Sequence, residues 1–225
     1  SITPVEDMIR LDAALRGVVQ TLVYFVMFDY PLTARELFLY HPDPNISRSV
    51  LEGRLAAPAT LSVLGHEKGY YFLRGRAHLA GQRALAEQKA QPLLHMARIA
   101  MHRIKKLPFV RGIYLSGDLS KGVAGESSDL DFFIITAAHR VWLCKLMLAL
   151  FRRMPRCNPH RLLCFNYLLD ESAMELAEKN EYTAFETAAL YPLWNIELLK
   201  RFFHDNEWVR RYIPRYDQSA DQVSV

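Results

Sequence analysis

The sequence predicts an α+β protein, in which a mixed β-sheet flanked by helices follows a helical domain that ends in a hairpin. Three observations support this fold class. Apolar residues recur at helical spacing between residues 11 and 28. Two short apolar runs, at 61–64 and 70–73, flank a polar turn. After residue 108, strand-like apolar runs alternate with helical ones, as expected for helices packed on a sheet.

Length and composition narrow the class of protein. The 225 residues suit one large or two small domains, and 51% of them are hydrophobic, enough for a packed core. We see no uncharged apolar run of about eighteen residues, and therefore expect no membrane partner. The N-terminus lacks the pattern of a signal peptide. Three cysteines without framework spacing indicate a reducing compartment, so we expect a cytoplasmic protein.

Residues 1–75 predict three short helices and a hairpin. Thr33 and Glu36 fit a capping box at the start of the second helix, and 47–55 suits the third helix. This order resembles a winged helix-turn-helix domain, which implies a nucleic-acid partner or, as an alternative, a protein-binding or interdomain role. Candidate nucleic-acid contacts in the third helix and the wing are Asn45, Ser47, Arg48, Ser49, Arg54, His66 and Lys68.

Charge is distributed unevenly along the chain. The formal net charge is +4, but residues 1–108 carry 14 Lys and Arg against 9 Asp and Glu, whereas residues 109–225 carry 14 against 15. A basic N-terminal half agrees with a polyanionic partner. Residues 76–107 form a predicted helical connector, whose second part we expect to begin at Pro92.

Residues 115–135 carry the most informative pattern. An apolar strand from residue 112 ends at a tight turn at Gly117, and a short helix can begin there, where free backbone N–H groups favour phosphate. The next strand contains Asp129 and Asp131, whose side chains point to the same side because strand side chains alternate. Two carboxylates held this close repel each other unless a cation lies between them, and oxygen ligands suit Mg²⁺.

This pattern resembles the signature of the DNA polymerase β-type nucleotidyltransferase superfamily, over about residues 108–200. Its small bacterial members have a second glycine five positions after the first, matched here by Gly122, and two aspartates twelve and fourteen positions after it, matched by Asp129 and Asp131. The resemblance implies a domain at 108–216 that binds a nucleoside triphosphate and Mg²⁺. Candidate nucleotide contacts are Ser116, Gly117, Asp118, Lys121 and Asn166, with an exposed lysine on a short helix as the stronger interpretation of Lys121.

Two positions depart from the family pattern. Asp118 stands where Ser or Gly usually contacts the phosphates. The third carboxylate of such enzymes lies on a later strand, and the matching strand here, 162–170, offers Asn166 at its centre and Asp170 at its end. Either Asp170 completes a catalytic set with Asp129 and Asp131, or the domain binds nucleotides and catalyses poorly.

The remaining C-terminal elements alternate in the same way. Helices are predicted at 141–153, at 180–190 with Thr183 as the N-cap, and at 194–203; residues 217–225 are expected to fray. Glu186 suits a capping role or a metal ligand. Cys157, His160 and Cys164, with Cys144, have spacing that could suit zinc, but buried cysteines in apolar elements are the stronger interpretation.

The sequence therefore predicts a cytoplasmic nucleotidyltransferase that moves a nucleoside monophosphate from a nucleoside triphosphate to a hydroxyl acceptor of unknown identity. The alternative is a catalytically degenerate regulator that senses nucleotides or binds DNA, which Asp118 and Asn166 favour. A third possibility, a structural interaction module, predicts no nucleotide binding.

Overall fold

The computed structural model describes residues 12–154 and 162–218. The chain divides into two compact units. One unit runs to Leu85 and includes Arg211–Arg215, and the other comprises Ala86–Arg210 and the residues from Tyr216 onward. Within the described residues, we find no helix long and apolar enough to cross a bilayer.

The first unit combines short helices with a three-stranded antiparallel sheet in the order β1-β3-β2. Leu22, Leu37 and Leu51, one from each of the first three helices, are buried in its core. The elements are α1 (Ala13–Val26), β1 (Leu32–Thr33), α2 (Ala34–Leu39), α3 (Arg48–Leu55), α4 (Pro58–Val63), β2 (Leu64–Glu67) and β3 (Tyr70–Leu73).

Side-chain caps begin α2 and α3, and the cap of α2 is the one expected from the sequence. The Glu36 N–H donates to Thr33 Oγ1 at 3.2 Å, and the Thr33 N–H donates to Glu36 Oε2 at 2.8 Å, which confirms the capping box. Ser47 caps α3 by accepting from the Val50 N–H.

The predicted first hairpin strand was wrong at 61–63. These residues belong to α4, because Pro58 sits in the first helical turn, where its fixed φ favours a helix. The strand begins only at Leu64 and pairs with β3. Lys68 and Gly69, with φ of 53° and 83°, form the tight connection between the two strands.

Two buried arginines hold loops of the first unit in place. Arg83, 6% exposed, donates to the Pro31 carbonyl at 2.6 Å and to Glu36 Oε1 at 2.8 Å, and it lies over the Tyr30 ring. Arg215 donates to five backbone carbonyls between residues 38 and 46. These partners compensate for the loss of water around each buried guanidinium.

Helix α5 (His78–Ile104) is continuous through Pro92, where the sequence suggested a new start. Ala90 lies in the core before the proline, and Ala97 and Ile104 lie in it afterwards. Packing on both sides holds the helix across a residue that normally interrupts one.

The second unit contains the predicted mixed sheet, with strand order β6-β5-β4-β7. Strands β5 and β6 are parallel, and the other neighbours are antiparallel. Its further elements are β4 (Val110–Leu115), α6 (Gly117–Ser120), β5 (Leu130–Thr136), α7 (Val141–Arg153), β6 (Leu163–Asp170), α8 (Glu181–Ala188), β7 (Tyr191–Trp194), α9 (Ile196–Asp205) and the 3₁₀ helix Glu207–Arg211.

Two boundaries near the end of this unit differ from the sequence prediction. Asn180 caps α8 by accepting from the Thr183 N–H at 2.8 Å, so Thr183 is not the cap. Trp194 ends a short strand, because Asn195 adopts a left-handed conformation (φ 65°) and caps α9 one residue later.

Candidate functional site

Gly117 makes the turn between β4 and α6 against the side chain of Asp131. Its φ is 66°, a conformation that side chains disfavour, and a Cβ atom added there would lie 2.9 Å from Asp131 Oδ2. The Ser116 N–H donates to the Asp131 carbonyl at 2.9 Å, which joins the ends of β4 and β5. The positive φ therefore favours glycine at this position, and any side chain there would force the Asp131 carboxylate to shift.

The two predicted aspartates flank the start of β5. Asp131 is half-buried in the strand, whereas Asp129 is exposed and precedes the strand, which begins at Leu130. Placing both residues within one strand was therefore wrong. Burial raises the pKa of Asp131, and the nearby charges of Asp129 and, to a smaller extent, Asp118 raise it further. The charges of two neighbouring carboxylates thus act on Asp131 at this end of the strand.

Strand β6 places an amide and a thiol beside Asp131. Asp131 pairs with Cys164 in the parallel register, and Asn166 Nδ2 donates to Asp131 Oδ1 at 2.7 Å. The Cys164 thiol donates to Asn166 Oδ1 at 2.9 Å. Hydrogen bonding by Cys164 and Asn166 lowers the pKa of Asp131 and so opposes the effect of burial. The sequence suggested Cys164 only as a possible zinc ligand and not as a neighbour of Asp131, although it shares a strand face with Asn166 two residues away.

The structure does not bring Asp170 to the other two aspartates. It pairs with Thr136 at the far end of β5, five residues from Asp131, which is about 16 Å along a strand. Its carboxylate accepts from the N–H groups of His139 and Ser172 and from the Ser172 hydroxyl. These hydrogen bonds, that of the Ser172 hydroxyl foremost, lower the pKa of Asp170. Asp170 therefore stabilises turns at the opposite end of strands β5 and β6 from Asp131.

Lys121, at the end of α6, forms an ion pair with Glu186 of α8. Its Nζ donates to Glu186 Oε1 at 2.7 Å, and the two side chains are only 17% and 28% exposed. This pair connects the glycine turn to α8, and Asn180 caps that helix, so the capping role suggested for Glu186 was wrong. A phosphate would have to compete with Glu186 for the Lys121 ammonium.

A pocket of about 440 Å³ opens beside the acidic site. Ser116 and Asn166, which both hydrogen-bond to Asp131, form part of its wall. Side chains of β5, β6 and α8 supply the rest together with residues 176–178 and Leu190, which flank α8, and they include aromatic rings and two glutamates. This size lies within the range of small-molecule sites.

The structure describes two of the four residues of the possible zinc spacing, Cys144 and Cys164. Cys144 is buried in the core, where burial raises its thiol pKa to about 11, and Cys164 is engaged with Asn166. Cys157 and His160 lie outside the described residues. Among the described residues, no group of three or more His, Cys, Asp or Glu side chains is arranged to hold a metal ion.

Several candidate nucleic-acid contacts of the first unit already have protein partners. Arg48 pairs with Glu52 at 2.7 Å, and Arg54 pairs with Asp12 at 2.8 Å. His66 stacks on Tyr71 in the neighbouring strand. All of these ion-pair side chains remain at least 40% exposed, so the pairs can open at little cost.

Comparisons of the chain with protein-family models, with curated proteins and with solved structures found no match. The glycine turn, the carboxylates and the adjoining pocket are therefore the features that bear on the function of this protein.

Proposed function

We propose that this protein is a nucleotidyltransferase, which uses Mg²⁺ to move a nucleoside monophosphate from a nucleoside triphosphate to a hydroxyl acceptor. The carrying observation is the contact between the glycine turn and the acidic site. Gly117 is the first residue of a helix, and a Cβ atom added to it would lie 2.9 Å from the Asp131 carboxylate. The charge of Asp129 also acts on Asp131. Donors suited to phosphate and carboxylates suited to a cation thus meet at one place.

The acidic residues fit a divalent cation. Asp129 and Asp131 offer oxygen ligands, and the charge of Asp129 adds to the effect of burial in raising the pKa of Asp131, which a cation would oppose. These two residues would hold Mg²⁺, which in such sites neutralises charge on the phosphate oxygens.

The residues of the chain would orient the reactants. The first N–H groups of α6 have no carbonyl partner within the helix and can donate to the phosphates, with Lys121 adding charge once it leaves Glu186. The acceptor oxygen bonds to the α-phosphorus as the bond to the β-phosphate oxygen breaks. Pyrophosphate leaves with that electron pair, and the hydroxyl proton passes to water.

A second candidate function is supported by Asn166. It occupies the strand position where the resemblance calls for a carboxylate, and its amide donates to Asp131 rather than accepting a proton. A site of this kind would bind Mg²⁺ and nucleotide but turn over slowly. The first unit, with its short helices and three-stranded antiparallel sheet, supports a winged-helix-like partner domain for such a nucleotide-sensing or DNA-binding regulator.

The test uses the full chain with each α-labelled nucleoside triphosphate and Mg²⁺. Pyrophosphate release and label transfer are measured for the wild type, for Asp131→Asn and for the matched control Asp170→Asn. We expect Asp131→Asn to abolish transfer and Asp170→Asn to retain it, because Asp170 lies at the other end of the strands, about five residues from Asp131.

Other outcomes separate the two functions. Mg²⁺-dependent nucleotide binding without transfer, together with salt-sensitive binding of duplex DNA, would establish the regulator. Wild-type transfer by Asp131→Asn would exclude the proposed site.

A further inference from the structure

The 440 Å³ pocket beside Asp131 has a chemistry that selects its ligand. Ser116 and Asn166 form the wall nearest the acidic site, and each hydrogen-bonds to Asp131. A molecule in this pocket can therefore place one group next to the carboxylates. The pocket is the natural place for the acceptor in the proposed transfer, on which this inference rests.

The charge of the pocket disfavours anions. Its described lining includes Glu178 and Glu186 but no Lys, Arg or His. Glu186 is neutralised by Lys121, whereas Glu178 has no hydrogen-bond or ion-pair partner among the residues that the structure describes. Glu178 is exposed, so its charge attracts a cation and repels a phosphate or carboxylate with the modest strength of a solvated contact. A polyphosphate therefore belongs at the glycine turn rather than in this pocket.

Aromatic side chains give the pocket its second property. Tyr182 on α8 is 59% exposed, and Tyr167 on β6 is 44% exposed, while Phe133 stacks against Tyr167 with ring centroids 5.1 Å apart. Exposed tyrosines in a concave site favour a flat apolar ring or a cation lying over the ring face. Because Glu178 lies in the same lining, a ligand can satisfy both features at once.

We infer that the acceptor of this protein is a small organic amine that carries a hydroxyl group and a flat apolar ring. The protonated amine would face Glu178, the ring would stack on the tyrosines, and the hydroxyl would point past Asn166 towards Asp131. The reaction is the transfer proposed above: the hydroxyl oxygen of the amine bonds to the α-phosphorus, and pyrophosphate leaves.

Three probes of nearly equal shape test the charge preference: tyramine, tyrosol and 4-hydroxyphenylacetate carry an ammonium, a hydroxyl and a carboxylate on the same phenol body. Calorimetric titration of the full chain should give tightest binding for tyramine, about tenfold tighter than for 4-hydroxyphenylacetate. This estimate assumes that Glu178 strengthens binding of the ammonium about threefold and weakens binding of the carboxylate about threefold, as expected for exposed charges. Equal affinity for the three probes would overturn the inference.

Two variants locate the preference. Glu178→Gln should reduce the ratio of tyramine to tyrosol affinity by about threefold. Glu175→Gln is the matched control, because Glu175 lies three residues away, is exposed and does not line the pocket. Equal effects of the two variants would contradict a site at Glu178.

Binding of Mg²⁺ and ATP is measured on the same samples. Nucleotide binding without an amine preference would overturn this inference and leave the proposed transferase intact. An amine preference without nucleotide binding would retain the amine site and remove the proposed transferase. Label from α-labelled ATP on tyramine would support both.

Discussion

The glycine turn allows a sharp test of the site, through Gly117→Ala and Gly122→Ala. Both glycines have positive φ, 66° and 74°. A Cβ atom at Gly117 would lie 2.9 Å from Asp131 Oδ2, whereas at Gly122 it would meet nothing within 4 Å. The two variants therefore share the conformational strain and differ in the contact with Asp131.

The expected magnitudes follow from these two costs. A left-handed alanine costs about 1–2 kcal/mol, and that cost applies to both variants. At Gly117 the methyl group would also press on Asp131 Oδ2, and a shift of this carboxylate strains the hydrogen bond that its Oδ1 accepts from Asn166, which adds about 1–2 kcal/mol. We expect losses of about 3 kcal/mol for Gly117→Ala and about 1.5 kcal/mol for Gly122→Ala, or roughly 6–12 °C against 3–6 °C in melting temperature.

The assay is thermal unfolding of each variant with and without Mg²⁺ and ATP. Gly122→Ala should keep the stabilisation by Mg²⁺ and ATP, because its Asp131 is undisturbed. Gly117→Ala should lose that stabilisation, since the new methyl group pushes the carboxylate away from its position. Equal melting temperatures and equal responses to Mg²⁺ and ATP in the two variants would refute the link between the glycine turn and Asp131.

Three further predictions concern the acidic site and the first unit. Asp131→Asn should raise the melting temperature above about pH 4 when Mg²⁺ is absent. Because the pKa of Asp131 is raised in the folded state, its stabilising contribution is present below the unfolded pKa and is lost as pH rises through the folded pKa. A higher melting temperature of Asp131→Asn than of the wild type at about pH 2–3 would therefore contradict this cause. Gly17→Ala should lower the free energy of unfolding in urea by about 2 kcal/mol, because its Cβ atom would fall 2.2 Å from Nε2 of the buried His41. At Gly53 an added Cβ atom would meet nothing within 4 Å, so Gly53→Ala should raise the free energy of unfolding by about 0.5–1 kcal/mol. If both variants changed this free energy in the same direction, packing at His41 would not be the reason. Arg215→Ala should destabilise the first unit by about 2–3 kcal/mol, measured by hydrogen exchange, and leave Mg²⁺-dependent ATP binding unchanged; loss of that binding would contradict a role confined to this unit.

Local signals predicted much of the fold. The capping box at Thr33, the turn at Gly117 and the apolar strands of the mixed sheet were each encoded within a few residues, and the structure confirms them. Pro92 shows the limit of such signals. A proline predicts a helix start locally, but burial of the same helix on both sides overrides it.

The candidate site was predictable only where it depended on one stretch of chain. Gly117 and Asp131 belong to one β-turn-β segment, so their proximity follows from the sequence. The placement of Asp170 depended on the register between β5 and β6, which no local pattern specifies. The pairing of Lys121 with Glu186 joins residues 65 positions apart, and the sequence offered no signal for it.

Arg215 has a consequence for the order in which the chain folds during synthesis. The rest of the first unit has been synthesised once the ribosome reaches Leu85, and Arg211, where its last segment begins, follows 126 residues later. At about 5–20 residues per second, the ribosome needs roughly 6–25 s to supply that last piece. Throughout this interval the loop at residues 38–46 lacks the guanidinium that binds five of its carbonyls. The nascent first unit therefore has to wait for a residue made much later, and its exposed loop is a natural target for a chaperone or a protease in that time.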